Sequence, residues 1–371
     1  MRLPLFALVL STVITHSLSG AEGGTSPGAE GGAQAAKFVQ ATDSPIVYEG
    51  RTLATADGTV RMGFPGIVIH LRFQGDALSI RLNAAMDDEY VDIGVDGAEP
   101  TRLQLRKGEG DYPLVSNGAG LEHRVEVTRR TESWQGEMSV LGLTLGPNDR
   151  LLQPDPLPER RLMFIGDSIT CGEASDVAPN DPIKDNRMSN GRLSYGKVLA
   201  RRFNAQCHLV SYGGRGVFRD WQGITAIANA PQFYELALPD DPKSTWDPHA
   251  YVADAIGILL GTNDFSRGVP DQVTFVNAYV QFVQKVRHDA PKAHIFLISS
   301  PIFQDAPGQV PNRTVLFRFI EQVAAEVGSP LVTAVDIAHQ PGRPGNGHPT
   351  AAQQLAMADE LEPLFRRALG W

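Results

Sequence analysis

Cysteine is nearly absent, with only Cys171 and Cys207 in 371 residues. An oxidising compartment would permit a disulfide, but these two are expected to stay apart. Cys171 falls just past the C-terminal end of one parallel strand and Cys207 near the start of the next. A strand of about five residues separates such points by roughly 15 Å, beyond the ~7 Å limit between bridged Cα atoms. No cysteine lies near residue 21 to accept a lipid. Basic charge is in deficit: 33 Lys and Arg stand against 42 Asp and Glu, a formal net charge of −9. There is thus no broad basic surface for phosphate backbones, and no nucleic-acid partner is expected. The apolar stretch Leu3 to Ile14 is interrupted by Pro4 and Ser11-Thr12, too short and broken for a membrane span. The histidines are scattered, so no metal and no cofactor are expected. Internal repeats and heptads are also lacking.

The N-terminus has the parts of a secretion signal. Met1-Arg2 gives a positive start, and Ser17 to Ala21 offers small residues near a cleavage point. Residues 1–21 are therefore read as a signal peptide, and the protein as secreted or periplasmic, free of membrane after cleavage. Residues 22–43 begin Gly/Ala-rich and read as a flexible linker.

From 44 to 148 the pattern has period two. Ile67, Ile69, Leu71 and Phe73 alternate with other residues, as do Leu78, Ile80 and Leu82. Turn signals such as Asp57-Gly58, Asp96-Gly97 and Asn117-Gly118 punctuate the runs. This predicts an antiparallel β-sandwich. Residues 149–159, holding Pro154, Pro156 and Pro158, predict an extended connector. Beyond Arg160 short apolar runs alternate with helical stretches. Predicted strands are Leu162–Ile165, His208–Ser211, Ala255–Leu260, His294–Ser299 and Leu331–Val335. Predicted helices are Tyr195–Phe203, Gln272–Arg287, Val315–Val327 and Ala351–Leu369. That alternation means a parallel sheet covered by helices on both faces, with functional groups at the C-terminal strand ends.

Four such ends carry chemistry. Gly166-Asp167-Ser168 closes the first strand, and Tyr212-Gly213-Gly214-Arg215-Gly216 follows the second. Gly261-Thr262-Asn263-Asp264 follows the third, and Gly347-His348-Pro349 precedes the last helix. Each alone reads as a cap or a turn. Together they supply what acyl transfer needs: a nucleophile, a base for its proton, and donors for an oxyanion. Trp221, Trp246 and Phe265 are candidates to stack on a sugar, although aromatics in such domains more often pack the core. Arg215 is a candidate substrate contact.

These residues resemble the SGNH (GDSL-type) hydrolase superfamily over 160–371. The resemblance implies a flavodoxin-like parallel sheet flanked by helices. It implies Ser168 as nucleophile, His348 as base, and an oxyanion hole of Ser168, Gly214 and Asn263, with Gly216 as the alternative to Gly214. The chain is most similar to carbohydrate esterase family 2, acetyl esterases acting on xylan and related glycans. Ser168 is followed by Ile-Thr-Cys-Gly as in that family, Gly213 to Val217 looks like its second block, and a jelly-roll-like β domain comes first. In that second block Ser is common where this chain has Gly213. The usual Asp, three or two residues before the histidine, is replaced by Gly345 and Asn346. A Ser-His dyad aided by a backbone carbonyl occurs in this family, and Asn346 is the candidate to orient the ring. The expected partner is an acetylated polysaccharide or oligosaccharide, with a preference for 6-O-acetyl groups implied by the resemblance, and the protein is expected to be a monomer. The alternatives are another SGNH activity, such as a peptidoglycan O-acetyl esterase or a lysophospholipase, and a glycan-binding protein without turnover. Against a long-chain lipase, residues 173–193 are polar rather than an apolar lid.

Overall fold

The computed structural model describes residues 35–371 apart from 179, 183 and 184. The predicted signal peptide and the first part of the linker lie outside the described residues. No helix among the described residues is long and apolar enough to cross a membrane.

The period-two region folds as two antiparallel sheets of six strands each. In the strand Ala77–Ala84, Leu78, Ile80 and Leu82 are fully buried while Ser79 and Arg81 are not, as the pleat requires. The sandwich reaches further than its period suggests. Lys37–Gln40, placed in the linker by its sequence, pairs antiparallel with the strand Met138–Leu145. Arg150–Leu152, placed in the connector, pairs with Val68–Gln74. Both are edge strands of three or four residues, too short to show a period. Val39 and Leu151 nevertheless pack on the core, which is what holds them there.

The second half is a five-stranded parallel sheet. Its spatial order is Ala205–Ser211, Arg160–Gly166, Ala255–Leu259, His294–Ile298, Val332–Val335. Numbered along the chain that is 2-1-3-4-5, the flavodoxin-like order. Leu162, Phe164, Ile165, Ile256, Ile258, Ile295 and Leu297 are all buried. Covering helices on both faces explain why these strands read as unbroken apolar runs. The flanking helices are Tyr195–Phe203, Gln272–Asp289, Asn312–Val327 and Ala351–Leu369. The first ends at Asn204 in the left-handed conformation and the last at Gly370, the usual helix stop.

The sandwich and the parallel sheet share one core. Phe64 of the first meets Phe233 of the second edge-on, with ring centroids 6.4 Å apart. The buried Arg51 donates to the carbonyl of Leu236 at 3.0 Å, and Glu49 pairs with Lys197 at 2.7 Å. A segment of the sandwich, residues 129–136, reaches to the C-terminal ends of the parallel strands. There the Ser133 hydroxyl donates to the Ser211 carbonyl at 2.7 Å.

Candidate active site

The first strand stops at Gly166, and the chain turns directly into a short helix, Ser168–Cys171. Asp167 is its N-cap, accepting from the Ile169 N–H at 3.0 Å. The cap is therefore Asp167, and Ser168 occupies the first helical position with its side chain free for other work. The first N–H groups of a helix have no partner inside it. That of Ser168 donates to no protein acceptor among the described residues. Burial pushes the Asp167 carboxyl up to about 7.

Ser168 Oγ lies 2.8 Å from His348 Nε2. His348 precedes the last helix, whose start is fixed by a capping box between Thr350 and Gln353. The Ala351 N–H donates to the Ser175 carbonyl at 2.8 Å, tying that start to the loop after Ser168. Asn346 stands beside the ring. Its Oδ1 accepts the backbone N–H of His348 at 3.1 Å and stands 2.9 Å from Nδ1. Only the oxygen end of an amide can accept from a backbone N–H. The amide therefore turns its oxygen to Nδ1, an arrangement in which a proton on Nδ1 would leave Nε2 to accept from Ser168.

The loop after the second strand gives the opposite wall. Gly214 has φ +79°, and a Cβ there would stand 2.9 Å from the Trp221 ring. Its N–H, like that of Ser168, donates to no protein acceptor among the described residues. The N–H of the alternative, Gly216, is directed to Asn229 Oδ1 at 3.4 Å. Buried Asp264 holds this loop, accepting from the N–H groups of Val217, Phe218 and Arg219 at 2.9, 3.0 and 3.3 Å. Burial still pushes its carboxyl up to about 6. Asn263 Nδ2 lies 2.9 Å from the Arg215 carbonyl and 3.2 Å from Asp167 Oδ2. An oxyanion at Ser168 would have to draw this amide away from the longer of the two bonds.

The structure thus brings Ser168, Gly214, Asn263 and His348 to one cleft of about 570 Å³, with Arg215 and Trp221 in its lining. Phe265 is elsewhere, a correction to the sequence expectation. It is buried among Phe275, Phe303 and Phe319, because the chain turns inward after Asp264. Trp246 lines a different cavity, beside Tyr234 and Lys285. Among the described residues no group of three or more His, Cys, Asp or Glu is arranged to hold a metal ion.

Three residues at the site escaped the sequence reading. Trp134, from the sandwich, lines the cleft. Glu132, two residues earlier, is fully buried and accepts from the Ser189 hydroxyl at 3.2 Å. Burial, with Glu173 nearby, holds its carboxyl well above the usual range. Glu173 Oε2 stands 3.2 Å from His348 Nε2. Nothing local in the sequence brings residues 132 and 134 to Ser168. Glu173 did carry a signal, as the first acidic residue after the serine. The second-block glycine also gains a reason. A Cβ on Gly213 would stand 2.2 Å from Glu132 Oε2 and 3.1 Å from the Trp134 ring, so the serine common at this position has no room.

Known proteins bear on this geometry. A carbohydrate esterase 2 N-terminal family model matches residues 48–155, and a GDSL-like lipase/acylhydrolase model matches 164–355. An acetylxylan esterase / glucomannan deacetylase of Cellvibrio japonicus is 35% identical over 335 residues, covering 90% of this chain and 91% of the relative. A family two carbohydrate esterase structure from Cellvibrio japonicus superposes with a TM-score of 0.86 at 34% identity, over 91% of this chain and 99% of that one. One from Clostridium thermocellum in complex with cellohexaose gives 0.81 at 28% identity, over 88% and 99%.

Proposed function

The chain belongs to carbohydrate esterase family 2, hydrolases of carboxylic esters on carbohydrate, and on that premise we propose that it is an exported acetyl esterase in which Ser168 and His348 remove acetyl groups from xylan, glucomannan or a similar glycan. The observation that carries the proposal is the 2.8 Å contact between Ser168 Oγ and His348 Nε2, with Asn346 Oδ1 2.9 Å from the other ring nitrogen. As Oγ attacks the acetyl carbonyl, Nε2 takes its proton. The N–H groups of Ser168 and Gly214 receive the oxyanion. Asn263 joins them by turning Nδ2 from Asp167 to the developing charge. The sugar oxygen leaves with the proton from Nε2. Water, deprotonated by the same nitrogen, then releases acetate from the acetyl-enzyme. Asn346 keeps the tautomer right throughout.

The cleft suits a sugar. Trp134 and Trp221 line it together with the polar residues Asp220, Gln222 and Arg215. An acetyl on a primary 6-hydroxyl stands clear of its ring and reaches Ser168 with least crowding. The relatives named as acting on xylan and glucomannan support a plant-glycan substrate. The test is acetate release from acetylated xylan, glucomannan and peptidoglycan, with the positions cleaved read by NMR. Release from a plant glycan is expected, fastest at 6-O on the hexose units of glucomannan, xylose having no 6-hydroxyl. Release from peptidoglycan alone would place the protein with the other SGNH esterases, and release from none would sink the proposal.

A further inference from the structure

In the usual triad one carboxylate performs two tasks. It fixes the imidazole tautomer through Nδ1, and it stabilises the imidazolium that forms. Asn346 performs the first task here, but a neutral amide cannot do the second as a carboxylate does. A carboxylate nevertheless touches the ring on its other edge. Glu173 Oε2 is 3.2 Å from Nε2, the nitrogen that also faces Ser168 Oγ at 2.8 Å. We propose that Glu173 supplies the charge missing from the triad, as a positioning residue that acts through His348 by stabilising its protonated form. The inference rests on the Ser168–His348 reading.

The contact is built into the loop. The Glu173 N–H donates to the Ser168 carbonyl at 3.0 Å. Gly172 before it is left-handed, with φ +81°, and a Cβ there would stand 2.4 Å from the Asn190 carbonyl oxygen. Glu173 therefore holds its place relative to the serine. Its side chain is about a quarter exposed at 26%, so its charge is only partly screened.

A second carboxyl lies behind Glu173. Glu132 shares a small cavity with Glu173, Asp185, Ser189 and Asn346. Burial, with Glu173 adding to it, holds the Glu132 carboxyl well above the usual range. Glu132 is the fully buried member. The other groups facing Glu173 are Asp167 at the end of the first strand, Cys171 in the short helix, and Asp185 across the small cavity. Across the cleft lie Arg215 and Asp220. None of these touches Nε2.

The proton inventory balances. When Oγ attacks, the Ser168 O–H bond breaks and an N–H bond forms at Nε2, between Oγ and Glu173 Oε2. Glu173 attracts the new positive charge without taking the proton. As the tetrahedral intermediate collapses, the sugar C–O bond at the acetyl carbon breaks and its oxygen takes the proton from Nε2. Deacylation repeats the cycle, with water as the proton source and Ser168 Oγ as the final acceptor. Glu173 ends each half-reaction unchanged.

The test is aryl acetate hydrolysis by the full chain between about pH 5 and 8, where an imidazole titrates. An opposite charge at this distance favours the charged form of the ring. Glu173→Gln is expected to lower kcat about 10- to 100-fold with KM nearly unchanged. The acid limb of kcat/KM should move to lower pH, because the imidazolium gives up its proton more readily. Glu173→Asp should recover part of both effects. An acid limb identical to wild type, or a loss confined to KM, overturns the inference and makes Glu173 a structural or substrate contact. If Glu173→Gln does not fold, Glu173→Asp carries the comparison. It should show a smaller shift in the same direction, and an unmoved limb overturns the inference. Ser168→Ala separates the two levels. Wild-type activity there would remove the Ser-His reading itself, whereas an inactive Ser168→Ala beside an unshifted Glu173→Gln removes only the role of Glu173.

Discussion

A histidine serves as base toward a serine only while the facing nitrogen is unprotonated and aimed, and in this chain Asn346 Oδ1, 2.9 Å from Nδ1 of His348, is placed to favour that tautomer. Asn346→Ala removes the acceptor for Nδ1–H and lets the other tautomer form. Its kcat on an aryl acetate is expected to fall about 10²-fold, within the range that a positioned base contributes, and less than in His348→Ala. Equal losses would make Asn346 a full third member of the site. Asp167 offers a residue-scale test of a different kind. Its carboxyl is pushed up to about 7, against about 3.9 in an unfolded chain. The folded state therefore binds this proton more tightly. The associated stability is complete below about pH 4 and is lost as pH rises through about 7. Asp167→Asn has no charge to desolvate. In calorimetric scans from about pH 5 to 8, its Tm is expected to gain on that of wild type as pH rises. A constant difference would contradict the assignment.

The segment 129–136 is the element that the sequence reading most undervalued. It carries Trp134 into the cleft and Glu132 behind it. Trp134→Ala is expected to raise KM for acetylated glycan several-fold, in keeping with about 1 kcal/mol for an aromatic contact. Hydrolysis of a small aryl acetate should change little, and steady-state kinetics on both substrates checks this. The hydrolase elements were legible because buried parallel strands write themselves as apolar runs. Tyr195–Phe203 and Ala351–Leu369 even carry their stops, at Asn204 and Gly370. Ser168, Gly214 and Asn263 were legible as a group because each follows a strand end in a sheet whose order brings those ends together. What stayed hidden depends on register or on distant contacts. The edge strands Lys37–Gln40 and Arg150–Leu152 are too short to show a period, and the Gly/Ala-rich and Pro-rich surroundings disguise them. The burial of Phe265 depends on its packing against Phe275, Phe303 and Phe319, which the residues beside it in the chain do not announce.

At the scale of the molecule, the sandwich is a wall of the cleft and a partner in the fold. Glu49 ties the two halves, pairing with buried Lys197 at 2.7 Å, accepting from the Cys207 N–H at 2.9 Å and contacting His70 at 3.3 Å. Opposite charge and hydrogen bonds outweigh burial and hold its carboxyl well below the usual range. Removing one partner of such a pair leaves a buried charge and costs about 3–5 kcal/mol. Glu49→Gln is expected to lose stability of that order in urea unfolding. The two halves should still unfold in one transition, because they share a core; two separate transitions in the wild type would contradict that. The whole account turns on one comparison, acetate release from acetylated xylan and glucomannan by wild type and by Ser168→Ala under the same conditions. The wild type is expected to release acetate and the variant to fall to background while keeping the wild-type Tm. Undiminished release by a folded Ser168→Ala would contradict it.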